Sequence, residues 1–350
     1  MKYIKTFNES TNISEIEAIC EKYNITNYTI NEDGSIDVEG DVDLSGNNLR
    51  VLPLKFRKVS GNFKCSFNNL TSLEGSPQSV GGFFDCGHNQ LTSLEGAPQS
   101  IGGDFSCHRC QLITLEGAPH TIGGDFDCNN NKLISLEGSP QRVGGNFFCY
   151  VNQLTSLVGS PQSIGVNFHC SHNQLTSLVG CPQSVGGGVY CISNHLTSLE
   201  GGPQNIGGFF DCSSNQLTTL EGAPQRVGGF FDCSGNQLTS LEGAPKRVYC
   251  DFFCRNNKLK NIDYLPKTHK KLDINGNPIS KIIKLFTTSN EYGWISNRED
   301  KDLIMDFIDR EIIQQDKLLV NRLIEFLDDI GNPKSREELI ELLKNNYTIR

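Results

Sequence analysis

The hydrophobic and polar positions of this chain recur with a period of 21 residues through most of its length. In one clear copy, the apolar residues Phe84 and Cys86 are separated by the polar residue Asp85. Alternation with a period of two places Phe84 and Cys86 on one side of a β-strand and Asp85 on the other. Leu91 and Leu94 then turn inward and fill the core. A fixed period of this length predicts a solenoid whose copies stack as parallel strands about 4.8 Å apart.

Polar and flexible residues also keep fixed places in the period. An asparagine such as Asn89 ends nearly every strand, and an interior asparagine ladder can satisfy backbone groups where the chain turns. Cys110 interrupts this ladder once. Gly-x-Pro steps and Gly-Gly pairs, such as those at Gly96 and Gly102, suit tight turns. The back of each repeat is therefore too rich in helix breakers for a full helix, and we expect extended chain or brief 3₁₀ turns there.

The segment from Phe84 to Leu94 fits the leucine-rich repeat pattern L-x-L-x-x-N-x-L-x-x-L, with phenylalanine and cysteine in two leucine places. The chain resembles the leucine-rich repeat family, especially its short bacterial and phage-like forms, from about Leu44 to Ile279. The resemblance implies an α/β-type solenoid with a parallel β-sheet on its concave face and a mostly non-helical convex side. Such a solenoid displays a long regular surface and usually no enclosed pocket.

The two ends depart from the repeat and are expected to cap it. Apolar residues at helical spacing, followed by a hairpin signal at Asp33-Gly34, predict a small α+β cap over residues 1–42. The solenoid is predicted over residues 43–280. Residues 281–350 are predicted to form a small helical unit.

Two capping boxes carry the prediction for the C-terminal unit. They are Ser296-x-x-Glu299 and Ser335-x-x-Glu338, and each marks the start of a helix. Apolar stripes at helical spacing support the helical prediction for this unit. A unit of this size is too small to bury a stable hydrophobic core of its own, so we expect it to dock on the last repeat.

Ten of the fourteen cysteines share one register of the repeat. These are Cys65, Cys86, Cys107, Cys128, Cys149, Cys170, Cys191, Cys212, Cys233 and Cys254. Apolar residues occupy the same register in the flanking partial copies, and free cysteine behaves as a small buried hydrophobe. The pattern predicts a packed interior column in a reducing compartment, with oxidation of stacked neighbours as an alternative.

Charge and hydropathy limit the partners. A net charge of −9 argues against nucleic acid, because phosphate recognition needs clustered Lys and Arg. No span approaches 18 apolar residues, so no membrane segment is expected. The first ten residues include two lysines but no apolar run behind them, which argues against a signal peptide. We therefore expect a cytoplasmic protein.

Catalytic and metal chemistry find little support in the sequence. Cys107 and Cys110 have the spacing of a zinc knuckle, but Cys107 already belongs to the interior column and no second matched pair exists. No cysteine follows Cys254, and the histidines lack a consistent acidic partner. We expect no metal, no cofactor and no enzymatic activity. An active site in the C-terminal helices is the least favoured alternative.

Residues that point outward from the strands do not pack in the core, so their composition is the best indication of function. Large side chains gather in the middle of the array and carboxylates flank them, and together they form the predicted partner-binding set. Its members are Phe148, Tyr150, His169, Tyr190, Ile192, Asp125, Asp127, Asp211 and Asp232. Aromatic clusters are typical interface hot spots, and the carboxylates would steer a basic partner. The alternative is that the large side chains only shield the sheet.

The sequence therefore predicts a non-enzymatic scaffold that binds a protein or peptide, with a basic one favoured, on its concave face. The resemblance to uncharacterised phage and bacterial repeat proteins suggests a role in a virus–host or bacterial interaction. The alternative is a structural protein that self-associates through the solenoid ends or the helical tail. The oligomeric state is left open.

Overall fold

A computed structural model describes residues 13–266, 270–288, 294–314 and 317–350. The chain divides into two compact units. Unit 1 comprises Met1–Leu175 and Val179–Gly186, and unit 2 comprises Thr176–Leu178 and Gly187–Arg350. The boundaries predicted at residues 42 and 280 stay a prediction. The first ten residues, on which the signal-peptide argument rests, lie outside the described residues.

Short parallel strands, one per repeat, form what we call the front sheet of unit 1. Phe84 pairs in register with Phe63 on one side and with Phe105 on the other. The strands are Val42–Asp43, Phe63–Lys64, Phe84–Asp85, Phe105–Ser106, Phe126–Asp127, Phe147–Phe148 and Phe168–His169. In each strand the first residue is buried and the second points outward. The predicted parallel solenoid is confirmed.

The back of unit 1 consists of short strands separated by turns. They are Phe56–Val59, Ser79–Val80, Ser100–Ile101, Thr121–Ile122, Arg142–Val143, Ser163–Ile164 and Ser184–Val185. At the N-terminal end, helix α1 (Ile13–Lys22) precedes an antiparallel hairpin of Tyr28–Ile30 and Ile36–Val38. This hairpin continues into the back sheet, because Ile36–Val38 pairs in parallel with Phe56–Val59. The predicted α+β cap and non-helical back are confirmed.

Unit 2 repeats the same architecture and then changes to helices. Its front strands are Val189–Tyr190, Phe210–Asp211, Phe231–Asp232, Phe252–Phe253 and Leu272–Asp273. Its back strands are Asn205–Ile206, Arg226–Val227 and Arg247–Val248. The helices that follow are α2 (Ser280–Ile283), α3 (Arg298–Asp309), α4 (Val320–Asp329) and α5 (Arg336–Leu343). The predicted helical C-terminal region is confirmed.

The C-terminal region differs from the prediction in two details. A small sheet, which the helical pattern did not reveal, accompanies the helices. Its strands are Ile313–Gln314, Lys317–Leu318 and Thr348–Ile349. The capping box at Ser335 is present, whereas the one predicted at Ser296 is wrong. Asn297 caps α3 instead, because its side chain accepts a hydrogen bond of 2.7 Å from the Asp300 amide.

The core is built from columns of identical side chains. In unit 1 the ring of Phe105 stacks on Phe84 and Phe126 at centroid distances of 5.3 and 5.4 Å. Beside the rings, the Cys86 thiol donates a hydrogen bond of 3.4 Å to the carbonyl of Ser106. Burial raises the pKa of Cys86, which keeps it protonated. All fourteen cysteines are free thiols, so the packed interior column is confirmed.

The asparagine column joins each repeat to the one before it. Asn89 Nδ2 donates to the carbonyls of Cys65 and Cys86 at 3.0 and 2.9 Å. Asn89 Oδ1 accepts from the amide of Leu70 at 2.9 Å. One side chain thus satisfies three buried backbone groups in two repeats, each of which would cost about 1–3 kcal/mol if left unpaired. Cys110 replaces this asparagine once, and its thiol donates a bond of 3.4 Å to the Cys86 carbonyl.

The residue before each ladder asparagine has a left-handed backbone. Gly46, Gly235 and Gly276 occupy this place in three copies, where φ lies between 66° and 74°. Val151 occupies it in another, with φ of 54°. A β-branched residue is strained in this region of the backbone map. The tight turn that aims the asparagine inward therefore imposes strain wherever the sequence has drifted from glycine or asparagine.

We expect Cys110→Asn to stabilise the protein by about 1–2 kcal/mol, because it restores the missing ladder hydrogen bonds. The measurement is urea unfolding under reducing conditions. Asn131→Cys is the matched control, and it should lose a similar amount of stability. A neutral or destabilising effect of Cys110→Asn would show that the ladder hydrogen bonds do not stabilise the fold.

We also expect Val151→Asn to stabilise the protein by roughly 0.5–1.5 kcal/mol, because asparagine tolerates the left-handed region better than valine does. The reverse change, Asn130→Val in the neighbouring copy, should destabilise by a comparable amount. Thermal unfolding of the two variants beside the parent chain measures both effects. Equal melting temperatures for all three proteins would contradict the strain argument.

Candidate partner-binding face

In unit 1 three of the predicted partner-binding residues lie together on the front sheet. The ring of Phe148 lies 4.9 Å from that of His169 and 6.2 Å from that of Tyr150, measured between centroids. All three side chains are half-buried. Burial lowers the pKa of His169 to about 4, so this imidazole is neutral at physiological pH. The group is therefore an uncharged aromatic surface.

The two predicted carboxylates of unit 1 have structural partners. Asp125 Oδ1 accepts from the backbone amide and the side-chain Nδ2 of Asn146, at 2.6 and 3.0 Å. Asp127 Oδ1 accepts from the amide and Nδ2 of Asn129. Burial raises the pKa of Asp127. Both side chains lie on the front side, and each accepts a hydrogen bond from a nearby backbone amide.

In unit 2 an aromatic strip extends along the front face. The ring of Phe209 lies 4.3 Å from that of Tyr190 and 5.1 Å from the nearly parallel ring of Phe230. Phe253 continues the series at 6.2 Å from Phe230. Trp294 follows at 6.1 Å from Phe253. We call these five residues the aromatic strip, and all of them are half-buried.

Of this strip, only Tyr190 belongs to the predicted partner-binding set. Phe209 and Phe230 occupy the register before the strand, and Phe253 occupies the central register. Comparison of the copies within one register therefore does not group these three residues. A usable signal was present, because Phe209 and Phe230 stand in consecutive copies where unit 1 carries mostly Asp or Asn. Trp294 lies outside the repeats, and no signal in the period indicates it.

Gly188 leaves space for the ring of Phe209 in the aromatic strip. A Cβ atom on this glycine would lie 2.3 Å from a ring carbon of Phe209, which is too close for any real contact. The absence of a side chain in this one copy therefore lets the Phe209 ring lie over the neighbouring strand and meet Tyr190. Ile192, another predicted residue, is half-buried two residues beyond Tyr190.

The predicted carboxylates of unit 2, Asp211 and Asp232, are direct partners across adjacent strands. Asp211 is 8% exposed. Their Oδ1 atoms accept from the amides of Ser213 and Ser234 at 3.0 and 2.8 Å. Burial raises the pKa of both, and that of Asp232 reaches about 6 with help from the neighbouring charge of Asp211. Asp211 and Asp232 are therefore two carboxylates that repel each other beside aromatic rings.

Other kinds of site receive no support from the described residues. Over those ranges no three His, Cys, Asp or Glu side chains are placed to hold a metal ion. Cys107 and Cys110, the zinc-knuckle pair, are both buried free thiols. No helix in the described part of the chain is long and apolar enough to cross a bilayer.

Comparisons with known proteins agree with this architecture. Neither the protein-family models nor the curated proteins include a match. Among solved structures, YopM from Yersinia enterocolitica WA-314 is similar, with a TM-score of 0.50 and 21% identity over 78% of this chain. The match spans 61% of that protein, which is less than two thirds of its length. YopM from Yersinia pestis, described as a leucine-rich effector protein, aligns at a TM-score of 0.40 with 20% identity, over 68% of this chain and 77% of that one.

The likeness to the first of these structures is a likeness of fold. It agrees with the parallel strands that recur every 21 residues and with the inward phenylalanine, cysteine and leucine columns. The chain therefore folds as a leucine-rich repeat protein.

Proposed function

We propose that this protein is a non-enzymatic scaffold that binds a protein or peptide on its front sheets, and that the partner is basic. The observation that carries the proposal is the outward aromatic surface, which each unit places beside carboxylates. In unit 1 it is formed by Phe148, Tyr150 and His169, and in unit 2 by the aromatic strip. Half-exposed aromatic side chains in contact with one another are typical of binding hot spots.

Charge supports a basic partner. The chain carries a net charge of −9. Asp211 and Asp232 form no salt bridge in the described part of the chain, so their charge is available to a cationic group. Negative charge around an apolar centre accelerates encounter with a positive partner and disfavours acidic ones.

A cytoplasmic location and a role in a bacterial or virus–host interaction belong to the same proposal. Fourteen free cysteines, thirteen of them buried, suit a reducing compartment. The similar solved structure is a Yersinia protein. The shared fold is one that suits interaction through a regular surface.

Self-association is the second candidate, and one observation favours it. Unit 1 exposes four aliphatic side chains at places where most copies have Thr or Glu. They are Ile113, Ile134, Val158 and Val179, which are between 49% and 60% exposed. These exposed apolar side chains add a surface to the solenoid ends and the helical tail, which are the predicted sites of self-association. Static light scattering on the purified chain tests it, and a monodisperse monomer would remove this candidate.

A triple variant tests the leading proposal. Phe148→Ala, Tyr150→Ala and Tyr190→Ala together remove aromatic area from both front sheets, and hot-spot residues of this type each contribute about 2 kcal/mol or more to binding. We expect recovery of partners from the native cell extract to fall at least tenfold. Quantitative mass spectrometry of the recovered proteins measures the loss.

The matched control is Ile113→Thr with Ile134→Thr, which restores the residue found in other copies and leaves the front sheet intact. It should recover the same partners as the parent chain. Circular dichroism must show the same fold in all three proteins. Unchanged recovery by a correctly folded triple variant would overturn the front-sheet proposal.

A further inference from the structure

We infer that unit 2 contains a recognition site for a single basic side chain, arginine or lysine, of a partner polypeptide. The charged end binds between Asp211 and Asp232, and the aliphatic stem packs on Phe209 and Phe230. This inference rests on the proposed function and identifies where, and with which chemical group, the partner is held.

The strand geometry brings these four side chains into one array. Residues two apart on a strand share a face, so Phe209 lies beside Asp211 and Phe230 beside Asp232. Register pairing then places Asp211 opposite Asp232. The rings of Phe209 and Phe230 stack at 5.1 Å with an interplanar angle of 12°. Two carboxylates and two rings thus form a two-by-two block, with sides of about 5 and 7 Å set by strand spacing and residue rise.

Within the described ranges, neither Asp211 nor Asp232 forms an ion pair with a positively charged side chain. Each has one oxygen bonded to a serine amide. The surrounding groups on the adjacent strands are Tyr190 on one side, and Asp251 and Arg255 on the other. Arg255 is exposed and lowers the pKa of Asp232 only through space, without an ion pair to it. A basic side chain from a partner would neutralise two poorly hydrated charges at once.

The rings match the remainder of a basic side chain. Arg and Lys bury their methylene stems along apolar surface and keep the charged end in a polar environment. The stacked rings of Phe209 and Phe230 are half-buried, so part of their apolar surface is accessible to such a stem. A guanidinium group can also bond both carboxylates through its planar fork, so arginine should bind more tightly than lysine.

The acidic residues of unit 1 are not equivalent. Asp104 and Asp125 stand in the register before the strand, and each accepts the backbone amide of the next copy. Asn146 makes the same bond to the amide of Asn167 at 3.2 Å, so an amide side chain can replace the carboxylate there. Asp127 stands in the central register, as Asp211 and Asp232 do, but its partners across the adjacent strands are Ser106 and Phe148. Asp211 and Asp232 pair with each other instead, so two carboxylates meet there.

NMR titration of the full chain tests the site, with the amide signals of Ser213 and Ser234 as reporters because these groups bond the two carboxylates. The probes are acetyl-Gly-Arg-Gly-amide, its lysine equivalent and its citrulline equivalent, which has the shape of arginine without the charge. At pH 7.5 the arginine peptide should shift both signals saturably. The lysine peptide should bind several-fold more weakly, and the citrulline peptide at least tenfold more weakly.

Lowering the pH should weaken arginine binding, because protonation of Asp232 removes one of the two negative charges of the site. With a pKa of about 6, roughly one tenth of this carboxyl remains ionised at pH 5, so affinity should fall about tenfold from its value at pH 7.5. Burial raises the pKa of Tyr190, so this side chain stays protonated and does not produce the same change.

The variant pair Asp211→Asn and Asp232→Asn should abolish the charge-dependent binding while keeping the bonds to the serine amides. Asp41→Asn with Asp104→Asn is the control, because Asp41 and Asp104 lie outside the predicted partner-binding set and accept hydrogen bonds from backbone amides that an asparagine can also accept. This pair removes the same charge in unit 1, and its affinity should stay within twofold of the parent. Phe209→Asn with Phe230→Asn, which reproduces the unit 1 register, should weaken binding about fivefold, as expected for lost apolar contact.

Equal loss in the two Asp→Asn pairs, or equal binding of the arginine and citrulline peptides, would overturn the inference. Partner recovery from cell extract separates this result from the proposed function. If the Asp211 and Asp232 variant still recovers its partners while the aromatic triple variant does not, the scaffold function stands and the basic-residue site is wrong. If the arginine peptide binds but the triple variant recovers every partner, the front-sheet proposal fails and the site remains.

Discussion

The fold depends on satisfying the backbone groups that each copy turns inward after its strand. Asparagine does this by donating to carbonyls in two successive copies and accepting from an amide, as Asn89 shows. The flanking columns of phenylalanine and cysteine are apolar and offer those groups no partner, so an unsatisfied turn would be costly in every repeat. The left-handed residue before each asparagine follows from the same need, because the chain must bend sharply to aim the amide inward. Val151 adopts a strained backbone conformation because the asparagine hydrogen bonds require this bend.

Carboxylates in this protein divide into two kinds according to their neighbours on the adjacent strands. Those like Asp125 tie one copy to the next and behave as structural residues. Asp211 and Asp232 instead lie side by side with little water around them, which lowers the stability of the folded protein. The folded pKa of Asp232, about 6, exceeds its ordinary 3.8, so its folded state binds a proton more tightly than the unfolded chain. Its contribution to stability therefore declines as the pH rises from about 4 to above 6. A destabilising pair on an outward face is a feature of binding sites more than of scaffolds.

Much of the fold could be predicted because its determinants are local and repeated. Phe84, Cys86 and Leu91 alternate or follow in a fixed order, and burial reproduces that order along the array. The aromatic strip could not be read in the same way, because the contact between Tyr190 and Phe209 joins different registers and depends on the missing side chain of Gly188. The C-terminal details escaped for a related reason. Asn297 and Ser296 are both good helix caps in sequence, and only packing decides between them.

The asparagine bridge reaches only from one copy to its immediate neighbour. Removing or adding a whole copy would therefore leave most of the remaining bridges, ring stacks and thiol bonds with an equivalent partner. A step of 21 residues keeps all register positions in phase. The 20-residue step from Phe252 to Leu272 still pairs in register, so the loop between strands absorbs a difference of one residue. Duplication and loss of single copies are thus the least disruptive genetic changes available to this protein. They would move one recognition element relative to another by a fixed increment, which makes the spacing between elements a heritable variable independent of the fold.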